Sequence, residues 1–277
     1  MRLTTISLWF TVIVGALLTG ASFWITQDLE NQNIRLEQSR TSTLFVDKMK
    51  LELDSSINIL NGIRGLYLAS DNVTRDEFRV FTHNYLKQHP EIQALEWIPK
   101  ILANERNRYI QLAISDGLDS FQITEIGPDG NVTPANPRDS YYPVYFAEPL
   151  EKNRKALGFD LSSNTTRQHS LEQAMLTGQP QATASIKLIQ ETGSQKGVLF
   201  FVPVYKSPAS TPEERLQKLN GFASGVFRIE DLFNTAQKGL EQETLDLVLT
   251  LTDITNSAQP DILDSIHHYR SPVERGQ

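Results

Sequence analysis

The chain has 277 residues, and 39% of them are hydrophobic, which is enough to form a sizeable core. Its formal charge is −7, from 26 basic and 33 acidic residues, and no run of Lys or Arg has the pattern that tracks a phosphate backbone. We therefore expect no nucleic-acid partner. Cysteine is absent, which excludes disulfides, thiolate metal sites and cysteine nucleophiles.

An uncharged, mostly apolar stretch occupies residues 3–27. A bilayer crossing needs about 20 such residues, so this stretch is long enough. Small residues around Gly20 also fit a cleaved secretory signal, but apolar side chains continue beyond that point to Ile25. The sequence therefore predicts a membrane anchor over residues 1–27. We expect a single N-terminal span in the cell inner membrane, with the rest of the chain periplasmic or extracellular.

Residues 28–70 contain no proline, and apolar side chains recur at spacings of three and four from Val46 to Tyr67. This spacing is typical of a helix. Two interpretations stay open for residues 45–70, namely a helix packed on its own domain and the stalk of a dimer. The polar segment before them favours a stalk, because a helix that is polar nearly all round has no core to join. We predict a stalk helix over residues 28–70 that holds a homodimer together.

The pattern changes after Ser70. Thr74 and Glu77 form a capping-box sequence, and the helix they begin stops at Pro90. Helical and strand-like segments then alternate with turn-rich connections, which favours an α+β domain. The strand-like runs are IQALEWI (92–98), FQITEIG (121–127), GVLFFVPVY (197–205) and GFASGVFRI (221–229), and helices are predicted at 104–115, 166–177, 213–219 and 230–241.

Sequence motifs of enzymes are missing. The chain contains no G-x-S-x-G elbow, no Walker loop, no G-x-G-x-x-G and no H-E-x-x-H. His267 and His268 are adjacent, so they point to different faces and make a poor metal site. We expect no catalytic residue, no metal and no cofactor. An exported hydrolase that uses Ser224 with His169 or His267 is the alternative, and only the presence of these residue types supports it.

Five separated stretches resemble the CHASE domain in their order and spacing. This domain is the extracytoplasmic sensor of plant cytokinin receptors and of many bacterial histidine kinases and diguanylate cyclases. The resemblance covers about residues 45–255. The stretches are ALEWIPKILANERNRYIQ (94–111), YYPVYFAEPLEKNRKALGFDL (141–161), RQHSLEQAMLTGQPQATASIKLI (167–189), KGVLFFVPVYK (196–206) and LNGFASGVFRIEDLF (219–233).

The resemblance implies two PAS-like domains that follow the stalk helix. The membrane-distal domain is expected at residues 71–229, and residues 230–277 are expected to begin a membrane-proximal domain that is truncated here. An output domain of the histidine kinase or diguanylate cyclase type is expected after Gln277. A ligand-binding module without any output is the remaining alternative.

The resemblance also implies a ligand site. In it, Asp160 accepts hydrogen bonds from an adenine-like ring, and Ala182 contributes backbone groups with Thr183 beside it. A carboxylate only accepts hydrogen bonds, so in a half-buried site it selects a small ligand with N–H donors or a positive charge. By residue type alone, Asp160 also fits a helix N-cap or a turn. The strand residues implied in the pocket are Leu199, Phe201 and Phe227.

Overall fold

The structure, a computed structural model, describes residues 2–188, 196–237, 247–253 and 261–268. It combines helices with a central sheet and begins with a long helix, so the predicted α+β class and long N-terminal helix are confirmed. The helices are α1 (Arg2–Ala69), α2 (Arg75–Gln88), α3 (Arg106–Ser115), α4 (Leu150–Asn153), α5 (Thr165–Thr177), α6 (Pro212–Lys218) and α7 (Ile229–Gln237).

The strands are β1 (Ile92–Pro99), β2 (Ile101–Leu102), β3 (Thr124–Ile126), β4 (Val132–Pro134), β5 (Ser140–Tyr141), β6 (Phe146–Glu148), β7 (Gln181–Ala182), β8 (Ile186–Lys187), β9 (Lys196–Tyr205), β10 (Leu219–Arg228), β11 (Leu247–Asp253) and β12 (Asp261–His268). Three strands of eight to ten residues, β1, β9 and β10, form the middle of the central sheet.

The central sheet is antiparallel, in the order β6-β1-β10-β9-β7, and β8 also pairs with β9. The remaining strands form three separate pairs, β2 with β5, β3 with β4, and β11 with β12. The sheet lies within a compact unit made of Lys48–Lys238 and Thr250–Ser265, and a second unit contains Met1–Asp47, Gly239–Leu249 and Ile266–Gln277. The predicted domain boundaries at residues 70 and 229 stay predictions.

Helix α1 is continuous over 68 residues. In the part of the chain that the structure describes, no helix has both the length and the apolar character needed to cross a membrane. The side chains of residues 1–8 and 10–12, which belong to the predicted anchor over 1–27, lie outside that part. The predicted membrane span is therefore not confirmed.

The apolar stripe at the end of α1 packs on its own domain. Leu60 and Ile63 are fully buried, and they belong to one core cluster with Phe78 of α2 and Phe227 of β10. Of the two interpretations left open for residues 45–70, intramolecular packing is the one that the structure shows. A dimer contact through the stalk remains a prediction, and this buried stripe is not available for it.

Alternation along the strands gives the sheet two different apolar faces. In β10, Phe222 and Val226 belong to the core cluster that includes Leu171 and Ala174 of α5, and we call this side the α5 face. Phe227 belongs to the other cluster, which includes α1, and we call that side the α1 face. Successive side chains of a strand point to opposite sides, so adjacent residues of one strand serve different cores.

Gly158 provides a test of the loop that carries Asp160. Its φ is +79°, and a Cβ at this position would lie 1.9 Å from the carbonyl oxygen of Gln122. Gly117 has a similar φ of +87° but nothing within 4 Å of its hypothetical Cβ. Since only Gly158 adds a backbone clash to the strain of a positive φ, we expect Gly158→Ala to destabilise the chain by roughly 2 kcal/mol more than Gly117→Ala. Urea unfolding of both variants measures this difference, and equal losses would contradict it.

Candidate functional site

A cleft of about 390 Å³ opens on the α5 face. Its floor includes the rings of Tyr142 and Phe222, whose centroids lie 5.8 Å apart. Burial raises the pKa of Tyr142, so this side chain remains a neutral phenol. The polar side chains around the cleft include Arg138, Asp139, Gln168 and Glu172.

Asp160 lies directly behind this cleft and has no exposed surface. One carboxylate oxygen, Oδ1, accepts hydrogen bonds from the backbone N–H of Tyr142 at 2.9 Å and from Ser162. The Ser162 hydroxyl donates at 2.8 Å and its backbone N–H at 3.1 Å. The second oxygen, Oδ2, accepts from Nη1 of Arg138 at 2.9 Å. Asp160 is thus the N-cap of a short 3-10 helix, Leu161–Ser163. Its hydrogen bonds also connect this helix to Arg138 and Tyr142, which line the cleft.

Arg138 bridges two carboxylates. It donates to Asp160 and also forms an ion pair with Glu125, which in turn accepts from the amide of Asn136. Acidic groups outnumber basic ones around the cleft, because Asp139 and Glu172 add to the two acids that already share one guanidinium. The arrangement favours a ligand that brings hydrogen-bond donors or positive charge.

A second polar group is buried deeper on the α5 face. Glu96 of β1 is 1% exposed and accepts a hydrogen bond from the Ser224 hydroxyl at 3.3 Å. Burial raises the pKa of Glu96 to about 7, although Ser224 and Arg167 act in the opposite direction. Both Glu96 and Arg167 border a cavity of about 10 Å³, which is roughly the space of one water molecule.

Arg167 of α5 is the cation that faces this buried acid. Its Nη2 donates to the Lys187 carbonyl at 3.1 Å, while its buried Nε has no hydrogen-bond partner in the part of the chain that the structure describes. Burial lowers the pKa of Arg167 to about 10, and the charge of Glu96 opposes that shift. The α5 face therefore holds a buried carboxyl group and a buried guanidinium, and neither lines the open cleft.

Comparison with known families decides the relationship of the chain. A profile of the CHASE domain matches residues 71–263. The chain belongs to the CHASE domain family. CHASE domains are extracytoplasmic sensor domains, so the resemblance predicted from the five stretches is confirmed, and a ligand-sensing role is supported.

Relatives of this CHASE domain include a germination-specific adenylate cyclase of Dictyostelium discoideum, which is 24% identical over 226 residues, 81% of this chain and 26% of the cyclase. Histidine kinase 3 of Arabidopsis thaliana is 30% identical over 131 residues, 46% of this chain and 12% of the kinase. The chain thus spans about a quarter or less of the length of these relatives.

Among solved structures, the chain is similar to the ligand-binding domain of the amino acid chemoreceptor PctC of Pseudomonas aeruginosa PAO1 in complex with GABA. The TM-score is 0.45 at 11% identity, and the match covers 79% of this chain and 75% of that one. The periplasmic sensory domain of the Campylobacter jejuni chemoreceptor Tlp1 matches with a TM-score of 0.41 at 12% identity, over 82% of this chain and 68% of that one.

The structure distributes the predicted site residues over both faces of the CHASE sheet. Thr183 is a pairing residue of the sheet, since its N–H donates to the Leu199 carbonyl at 2.9 Å and its hydroxyl accepts from the Leu199 N–H at 3.1 Å. Ala182 is exposed, and its carbonyl accepts from the Ser170 hydroxyl at 3.1 Å. Leu199 and Phe201 are buried on the α5 face.

Phe227 lies on the opposite, α1 face of the sheet. It therefore cannot line a pocket on the α5 face together with Asp160 in this arrangement. The ligand-binding roles of Asp160, Ala182, Thr183 and the strand residues remain predictions.

Sequence reasoning missed Glu96, Arg138 and Arg167. The signal for Glu96 was present, because a single acid inside the apolar run IQALEWI predicts either an outward-facing or a buried carboxylate. No local pattern distinguishes Arg138, which follows Asn136 and Pro137 in an ordinary turn sequence.

The hydrolase alternative finds no support on the α5 face. Ser224 is fully buried and its hydroxyl donates to an acid, Glu96, while His169 is exposed on α5. The side chain of His267 lies outside the described residues. A possible metal cluster, Glu52 with His89 and Glu91, is on the α1 side, and there His89 and Glu91 already pair at 2.9 Å.

Proposed function

We propose that this CHASE domain is the sensor of a membrane receptor and that its cleft on the α5 face binds a small ligand with N–H donors or a positive charge. The observation that carries the proposal is a cleft of about 390 Å³ around which several carboxylates surround a single guanidinium, that of Arg138. An adenine-like ring meets the requirement through its exocyclic amine and ring N–H. So does a small ammonium compound.

In this proposal Asp160 positions other groups and does not itself meet the ligand. Its two oxygens accept hydrogen bonds from Arg138, Tyr142 and Ser162, and direct binding would require a ligand donor to displace Arg138 or Ser162. Glu172 and Asp139 line the cleft and are exposed, so they are the acceptors that a ligand reaches first.

The proposal includes a membrane anchor at residues 3–27 and a homodimer through the polar part of α1. Large apolar side chains on several sides of α1 support an anchor, with Leu17 67%, Phe23 68% and Trp24 71% exposed. The output belongs to a segment outside this chain, of the cyclase or histidine kinase type found in the relatives. Ligand binding can shift such a receptor only by its different affinity for two states.

Blocking the cleft tests the proposal. Gln168 is an exposed cleft residue of α5, so Gln168→Trp fills the cleft without disturbing the core, and His169→Trp places the same ring on the neighbouring exposed residue that does not line the cleft. The full chain in detergent micelles is titrated with adenine, with purine, which lacks the 6-amino donor, and with γ-aminobutyrate, and binding is measured by calorimetry.

We expect adenine or γ-aminobutyrate to bind the wild type and His169→Trp alike. We expect at least about tenfold weaker binding to Gln168→Trp and to Glu172→Gln, because one loses the space and the other an ionic acceptor. If neither compound binds, or if binding is unchanged in Gln168→Trp, the cleft is not the sensor site.

A further inference from the structure

A second cavity, the Tyr67 cavity, lies on the α1 face where α1 ends and α2 begins. Its volume is about 290 Å³. It shares no lining residue with the cleft on the α5 face. The lining residues on which the inference depends are Tyr67, Trp97, Arg108, Tyr109, Tyr145 and Phe146, and Arg75 lies next to this wall without lining the cavity.

Flat aromatic surfaces form much of the wall. The rings of Tyr67 and Trp97 stack with centroids 3.6 Å apart and planes inclined by 15°. Tyr109 meets Tyr145 edge to face at 5.5 Å, and Tyr145 also contacts Phe146 at 5.1 Å. Such walls suit a planar or apolar body of small size.

The hydroxyl group of Tyr67 is buried beside this cavity and has no hydrogen-bond partner within the described ranges. Burial raises the pKa of Tyr67 well above its usual value, so the group keeps its proton and can donate. A buried donor without an acceptor is unfavourable, and most such groups in proteins are satisfied by protein, water or ligand.

Arg75, the first residue of α2, presents the same unmet requirement. Its guanidinium carbon lies 4.8 Å from the ring centroid of Phe146, and Nη2 donates to the Tyr145 carbonyl over a long 3.4 Å. Its Nε and Nη1 are buried without a hydrogen-bond partner among the described residues. The carboxylates of Asp116 and of the buried Glu148 act on Arg75 by charge, but neither forms an ion pair with it within the described ranges. A buried guanidinium normally has a carboxylate or phosphate partner.

The acids near the cavity do not meet this need. Asp71 and Asp116 line it but are exposed, so water solvates their carboxylates. Arg108, also exposed, adds a positive charge at the rim. The groups that lack a partner are therefore donors, which calls for an acceptor that carries negative charge.

We propose that the Tyr67 cavity is a second binding site, for a small organic anion with a planar apolar body. The anion accepts a hydrogen bond from the Tyr67 hydroxyl, and its body packs against the aromatic walls. Arg75 contacts Tyr145 and Phe146 and does not itself line the cavity, so it supplies positive charge from behind that wall. Because Tyr67 lies in the last turn of α1 and Arg75 in the first turn of α2, the bound anion links the two helices. This site is independent of the cleft on the α5 face.

Three isosteric probes separate charge from shape. Benzoate, benzamide and benzamidine share a ring but carry a negative, a neutral and a positive group. Each is titrated into the full 277-residue chain in detergent micelles at pH 7, and saturable binding is followed by calorimetry. We expect benzoate to bind at least about tenfold more tightly than benzamidine, with benzamide between them.

Two variants locate the site. Arg75→Gln is expected to weaken benzoate binding at least about tenfold, and Tyr67→Phe by roughly fivefold, because they remove a positive charge and a neutral donor respectively. Arg79→Gln is the matched control, since Arg79 is an exposed arginine of α2, four residues further on, that pairs with Asp76. It should bind benzoate as the wild type does.

Gln168→Trp, which blocks the other cleft, should also leave benzoate binding unchanged. This separates the outcome from that of the sensor-site test. If Arg75→Gln fails to fold, Tyr67→Phe decides alone, because it deletes only one oxygen atom. The inference is wrong if benzoate does not bind, if benzamidine binds equally well, or if benzoate binding is unaffected in the folded cavity variants.

Discussion

Asp160→Ala is expected to lower the free energy of unfolding by about 4 kcal/mol. The variant leaves two backbone N–H groups, those of Tyr142 and Ser162, without their acceptor in a buried place. It also removes one of the two carboxylates that neutralise Arg138. Arg138 is 27% exposed and keeps Glu125, so the two backbone groups account for much of the loss.

Urea unfolding followed by tryptophan fluorescence measures this effect. Asp139→Ala is the matched control, because Asp139 is an exposed acid next to Arg138 on the same cleft, and we expect a change within about 0.5 kcal/mol. Asp160→Asn should lie between the two, because its amide oxygen replaces one acceptor while its NH₂ group faces the donors of Arg138. A loss below about 1 kcal/mol in Asp160→Ala would show that the buried network is not formed.

This prediction also separates two roles for Asp160. A buried carboxylate that has no hydrogen-bond donor until a ligand binds is unfavourable in the free protein, so its removal stabilises the free protein. A carboxylate that already accepts four hydrogen bonds destabilises the free protein when it is removed. The sign of the change therefore distinguishes a ligand-binding residue from a positioning residue before any ligand is known.

Glu96→Gln is expected to gain stability relative to the wild type as the pH rises. The difference between their free energies of unfolding should grow by about 3 kcal/mol from pH 5 to pH 8. The pKa of Glu96 is raised from 4.5 to about 7 by burial. Between pH 4.5 and about pH 7 the Glu96 carboxyl group is protonated in the folded chain and ionised in the unfolded chain. The free energy of unfolding of the wild type therefore falls as the pH rises from about 4.5 to about 7, whereas glutamine does not titrate.

The difference between the two proteins, measured by urea unfolding at several pH values, isolates this group from all others that titrate. Arg167, the charged group facing it, remains in both proteins, and its pKa of about 10 lies outside the range. Glu172→Gln is the control for an exposed glutamate of the same face and should run parallel to the wild type. If the free energies of unfolding of Glu96→Gln and of the wild type change with pH in parallel, the pKa of Glu96 is not raised in the folded chain.

Several features could be predicted because they depend on neighbouring residues. The capping box of Thr74 and Glu77 begins α2 as expected, with both reciprocal hydrogen bonds formed. The apolar runs at 197–205 and 221–229 became β9 and β10, since long runs of apolar residues stabilise buried strands. The helices expected at 104–115 and 166–177 are α3 and α5, with bounds shifted by at most two residues.

The membrane anchor and the partner of the apolar stripe of α1 could not be established from the sequence. The uncharged stretch over residues 3–27 predicts a bilayer span from composition alone, and the described part of the helix does not confirm it. The apolar stripe of α1 predicted a helix correctly but left its partner open. Periodicity identifies the face of a helix that is buried, and it contains no information about which surface covers that face.

The sequence by itself determined the family, the mixed helix and sheet composition, and the presence of an acid at Asp160 between apolar neighbours. Only the tertiary structure decided what that acid touches, since Arg138 lies 22 residues before it, and the Glu96 carboxylate meets a hydroxyl 128 residues away. It also decided that Phe227 faces α1 while Val226 faces α5. Local preferences act over a few residues, whereas hydrogen bonds and packing across a sheet depend on which strands pair and in which register.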